Sequence, residues 1–111
     1  MLALAFALAI AVAVAVAAPP PAVARSPWDD CLLAYAQTEA LGTKTAVRIA
    51  GEALAACAPE RQRYLKTLVR RFQPTASRDH SALDQALAVV DIDQKAAIRR
   101  VLAFIGRNRQ E

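Results

Sequence analysis

The chain has 111 residues, a formal net charge of +4 and a hydrophobic content of 56%. That length holds one ordinary domain. With only two cysteines, one histidine and three glycines, it excludes a glycine-rich phosphate loop and a zinc site of four cysteine and histidine ligands.

Residues 1–24 carry no charge; 21 of them are apolar and the other three are Pro19, Pro20 and Pro21. The segment closes on Ala22-Val23-Ala24, a small-x-small cleavage signal, immediately before Arg25. This layout predicts a signal peptide over 1–24 and a single helical domain over 25–111, exported to the periplasm or secreted from a bacterial cell. The run from Met1 to Ala18 stands at the short end of what can span a bilayer. The rival expectation is therefore an uncleaved inner-membrane anchor. The proline triplet and the lack of a basic cluster after it favour cleavage. No cysteine stands at the cleavage point, so a lipoprotein is excluded.

All the charges lie beyond the leader. Residues 25–57 hold three basic and four acidic side chains, and residues 58–111 hold eleven basic and six acidic. Ser26-Pro27-Trp28-Asp29 combines an N-cap residue, a proline at the first helical position and an acid in the first turn, which predicts a helix start. That helix runs to Leu41 and stops at Gly42. A second helix begins near Thr43 or Thr45 and reaches Cys57, where Pro59 interrupts it. A turn this short makes the two helices antiparallel neighbours.

The turn is centred near residue 44, and Cys31 and Cys57 are symmetric about it. In that register Leu32 faces Ala56, Tyr35 faces Ala53 and Thr38 faces Ala50, so large side chains meet alanines. An even cysteine count in an oxidising compartment points to a disulfide, and the register predicts one between Cys31 and Cys57. Redox catalysis is disfavoured, because catalytic pairs usually sit as Cys-x-x-Cys.

A third helix opens at Pro59 and ends at Pro74, with Tyr64, Leu65, Leu68, Val69 and Phe72 on one stripe. Arg63, Lys66 and Arg70 lie on the opposite face. A polar connection follows, and Ser81 to Asp84 forms another capping pattern. The last helical pattern runs from Leu83 to Gly106. Asp91 to Gln94 resembles a cap, which favours a break there, although Gln94 stands in the apolar column and the helical phase continues through it. Leu65, Leu68, Phe72, Leu87, Ile98, Val101 and Leu102 are the expected shared core. The predicted fold is all-α, a small bundle of four to five helices built on a stapled N-terminal hairpin.

Little in this pattern points to chemistry. His80 lies between Asp79 and Ser81, but adjacent residues on one loop do not form a triad, and both neighbours suit helix caps. Asp84, Asp91 and Asp93 lack the spacing and terminal Glu of a calcium loop, and are expected to favour helix N-termini. The expectation is a small exported, non-enzymatic binding or accessory protein with no cofactor. The rivals are a membrane-associated protein tethered by residues 1–18 and a small enzyme or enzyme inhibitor. The face of Arg63, Lys66 and Arg70 suits an acidic protein or an anionic membrane surface. Nucleic acid is disfavoured by export and by the lack of interleaved aromatics for stacking.

Overall fold

The computed structural model describes residues 21–109. The expected leader falls outside them, apart from its last four residues, whose backbone forms the first turn of a helix. Every regular element among the described residues is helical. They are α1 (Pro21–Glu39), α2 (Ala46–Ala56), α3 (Ala58–Phe72), a 3₁₀ turn (Gln73–Thr75) and α4 (Ala82–Arg109).

Lateral ties fix the directions of the helices. Arg25 reaches Asp93 at 3.2 Å, Arg100 reaches Asp29 at 3.0 Å, and Arg109 donates to the Ala40 carbonyl at 3.0 Å. The three ties climb α1 and α4 together, so these helices run parallel. Tyr64 bonds Asp93, Arg61 bonds Gln94 at 3.1 Å, and Thr75 meets Gln85 at 3.4 Å. These steps run in opposite senses, so α3 is antiparallel to α4. Only Cys57 separates α2 from α3. Its N–H donates to the Ala53 carbonyl, and its own carbonyl accepts from Arg61 N–H. The two helices therefore follow one another along α1, with a bend at Cys57, and the bundle packs as three rods. Thr45 caps α2 by accepting from Arg48 N–H at 3.2 Å, and Ser81 caps α4 by accepting from Asp84 N–H at 3.0 Å, each supplying an orphan N–H with a partner.

The antiparallel hairpin forms in the expected register. Cys31 and Cys57 are bonded, with Cα atoms 5.9 Å apart, and Tyr35 donates to Glu52 at 3.1 Å on the same level. Four expectations about helix bounds fail. The first helix ends at Glu39, before Leu41. The first helix does not start at Ser26-Pro27; it begins at Pro21 and carries Pro27 inside it. Arg25 in its second turn is paired with both Asp29 and Asp93, which favours the longer helix. No break occurs at residues 91–93, and α4 runs unbroken. Asp93 and Gln94, the residues that resembled a cap, spend their side chains on Arg25, Tyr64 and Arg61 instead. Nor does α4 stop at Gly106. Arg109 fastens its last turn to the carbonyls of Ala40 and Gly42.

The core also departs from the expected set. Leu68 and Val101 are buried, while Leu65, Phe72, Ile98 and Leu102 are partly buried against the core. Leu87 is 39% exposed and Leu83 49% exposed; α4 turns Ala82 and Ala86 inward in their place, beside Val90 of the expected apolar pattern. Small side chains permit a close approach of neighbouring helices and leave little room for a larger one. Ala86→Leu is therefore expected to cost about 1–3 kcal/mol by overpacking, more than Leu83→Ala. Urea unfolding of the two variants checks the order, and the reverse order would place the buried face of α4 on its leucines.

Candidate functional site

Four groups of side chains hold the chemistry available to the described residues. The first is the staple. Cys31 Sγ, Cys57 Sγ and a carboxylate oxygen of Glu60 lie within 4.8 Å of one another. The sulfurs are joined, so they present no thiolate, the form that ligates metal or attacks as a nucleophile. Glu60 turns one oxygen toward Arg63 at 3.8 Å and buries the other without a hydrogen-bond partner. The staple is structural in this state.

The second group is a polar cluster where α1, α3 and α4 meet. Trp28 is fully buried, with its ring centroid 5.9 Å from that of Tyr64. The Tyr64 hydroxyl donates to one oxygen of Asp93, whose other oxygen accepts from Arg25. Burial pushes the Tyr64 phenol up from its ordinary range, and the bond to Asp93 adds to that shift. Burial lowers the pKa of Arg25, but the carboxylates of Asp29 and Asp93 outweigh it and raise the guanidinium on balance. Both groups are thereby held in the forms that keep the cluster closed, a protonated phenol and a charged guanidinium. The cluster ties three helices together.

A smaller cluster sits on the hairpin. Glu52 accepts from Lys44 at 2.8 Å, Arg48 at 3.0 Å and Tyr35 at 3.1 Å. The hydrogen bond from Lys44 is the largest cause that holds its carboxyl at about 2, below the ordinary 4.5. A depressed folded-state value means that Glu52 stabilises the fold above the unfolded carboxyl range and that this is lost as pH falls toward 2. Glu52→Gln is therefore expected to be less stable than the parent at neutral pH and to match it near pH 2. Urea midpoints measured across that window check it, and a constant gap would reject the assignment.

The fourth group is the cationic row of α3. Tyr64, Thr67 and Leu68 are buried, while Arg63, Lys66 and Arg70 are exposed on the outer side. Spacings of three and four residues bring the three onto one face. Arg63 has a distant pairing with Glu60; Lys66 and Arg70 make no ion pair among the described residues. Packing does not use these charges.

The remaining candidates have structural duties. His80 lies on an exposed loop closed by its N–H on Ser77 Oγ and its carbonyl on Ser77 N–H. Ser81 is a cap, as expected, Asp84 lies in the first turn of α4, and Asp91 pairs with Lys95. Asp91 and Asp93 both contradict the expectation of a helix-terminal carboxylate, because α4 runs unbroken through them; Asp93 is the hub of the polar cluster. The sequence reading missed that hub, although Gln94 in the apolar column signalled that polar groups enter the core at this level. No helix among the described residues is long and apolar enough to cross a membrane. No known protein family, curated protein or solved structure is similar enough to this chain to match it.

Proposed function

We propose that this is a small exported, non-enzymatic helical module that binds an acidic surface through Arg63, Lys66 and Arg70. The observation that carries the reading is the exposure of these cations on the outer side of α3, two of them with no ion pair among the described residues. Arg25, Lys44, Arg48 and Arg100 all meet acids, and Arg61 and Arg109 are held by Gln94 and by backbone carbonyls, whereas Lys66 and Arg70 have no such duty among the described residues and share one helix face with Arg63. Export is supported by the charge-free leader of residues 1–24 and by the disulfide, which persists in oxidising compartments. A non-enzymatic role is supported by the duties of the polar groups, since the hydroxyls nearest His80, those of Ser77 and Ser81, close its loop and cap α4.

The binding is electrostatic, because the face that carries Arg63, Lys66 and Arg70 is cationic and lies opposite the side of α3 that packs on the core. Each basic side chain near an anionic surface contributes about 1 kcal/mol. Reversing all three to Glu is therefore expected to weaken binding by at least about a hundredfold. It should leave helical content and urea midpoint near the parent's, since exposed charges contribute little to stability. Co-sedimentation with vesicles of phosphatidylcholine and phosphatidylglycerol, and titration with polyaspartate, measure this on two acidic surfaces. Binding to either should fall steeply between low and moderate ionic strength. Undiminished binding by the triple variant to both would defeat the proposal.

A further inference from the structure

The outer side of the α3–α4 seam, away from α1, combines apolar surface with opposed charges. On α3, Leu65, Val69 and Phe72 are only partly buried against the core. On α4, Leu83 and Leu87 are among the most exposed large hydrophobic residues. The helical phase sets these leucines on the edge of α4 beyond its contact with Arg61, which Gln94 marks. The same phase sets Leu65 and Val69 on the corresponding edge of α3. The strip they form has different borders. On the α3 side lies Lys66, which makes no ion pair among the described residues, with Arg70 behind it. On the α4 side lie Asp84 and Asp91, the latter 59% exposed even while paired with Lys95. The ties from Tyr64 to Asp93 and from Arg61 to Gln94 also fix the heights, and they put Lys66 level with Asp91.

We infer that this seam is the interface of a homodimer whose two-fold axis runs parallel to α3 and α4. A two-fold interface presents the same patch from both copies. Rotation about an axis along the helices lays the cationic border of one copy on the acidic border of the other, and Lys66 meets the partner's Asp91 at its own height. Rotation about an axis across the helices would set cations on cations, which the surplus of basic side chains in residues 58–111 makes repulsive. Leu83, Leu87 and Val69 then leave water against their counterparts, and the charge borders fix the orientation, a division common at protein interfaces. Arg63 and Arg70 stay outside the apolar strip. The inference goes beyond the acidic-surface reading and does not depend on it.

Sedimentation of the purified oxidised protein over a concentration series, without any acidic ligand, tests it. The expected result is a reversible monomer–dimer equilibrium. Leu87→Asp should abolish the dimer and keep the helical signal, since Leu87 is already partly in water. Lys66→Glu should raise the dissociation constant about tenfold, because the two-fold axis repeats each charge pair. Adding Asp91→Lys to Lys66→Glu should restore the parent value, which a purely structural role for either residue would not do. Three results overturn the inference: a monomer at every concentration, a dimer indifferent to Leu87→Asp, or a double variant no better than Lys66→Glu alone. Asp91 is outside the cationic row, and sedimentation reads no acidic ligand, so these results leave the vesicle experiment unprejudiced.

Discussion

Removing the Cys31–Cys57 bond is expected to lower stability by about 2–5 kcal/mol, as in other small secreted domains. The closed loop spans a sequence separation of 26, and the chain-entropy model gives about 3.5 kcal/mol for a loop of that size. The geometry of the site separates the two ends. Cys57 is fully buried at the bend between α2 and α3, whereas Cys31 is partly exposed. Cys57→Ser places a hydroxyl where water does not reach, and an unpaired buried hydroxyl adds about 1–3 kcal/mol. Cys31→Ser leaves its hydroxyl near solvent. Cys57→Ser should therefore be the less stable of the two, and Cys31→Ala combined with Cys57→Ala should approach the loss of the bond alone. Urea unfolding measures all three, and the slope should rise as the denatured chain expands. Variants within about 0.5 kcal/mol of the oxidised parent would show that the staple is ornamental, since changes of that size are ordinary for surface positions.

That staple is the feature most legible from the sequence, because it depends only on local rules. A short turn makes two helices antiparallel, and antiparallel helices pair residues symmetrically about the turn. The stripe of α3 is legible for a similar reason, since hydrophobic phase within one helix needs no knowledge of its neighbours. What failed was decided between helices. The phase of α4 permits either Leu83 and Leu87 or Ala82 and Ala86 to face inward, and only the direction from which α3 approaches selects the alanines. Asp91 to Gln94 has the composition of a cap, but tertiary bonds from Arg25, Tyr64 and Arg61 claim Asp93 and Gln94. A helix break there would scatter that cluster. The cationic row was legible as a face and remains exposed in the fold. Its partner was not, since a solvated face and a docking face carry the same periodicity.

Trp28→Ala is expected to be among the most damaging single changes, at about 3–5 kcal/mol. Trp28 is fully buried, among the largest side chains so enclosed, and stacks obliquely on Tyr64. Its loss opens a cavity at the meeting of α1, α3 and α4, beside the phenol that holds Asp93. An aromatic pair of this kind adds about 0.5–1.5 kcal/mol beyond buried area, so the truncation removes both packing and pair. Trp28→Phe should behave differently. The indole N–H is buried without a hydrogen-bond partner, which itself costs about 1–3 kcal/mol. Phenylalanine gives up some volume but also discards that unpaired donor, and it keeps a ring against Tyr64. Its penalty is expected to be less than half that of alanine. Trp28 is the only tryptophan, so its own fluorescence disappears in both variants, and far-ultraviolet circular dichroism in urea is the suitable measure. For a domain of this size the total stability is about 5–13 kcal/mol, and the alanine variant should unfold near the foot of the denaturant range. Equal losses for alanine and phenylalanine would mean that the indole nitrogen has a partner in solution and that the polar cluster extends through Trp28.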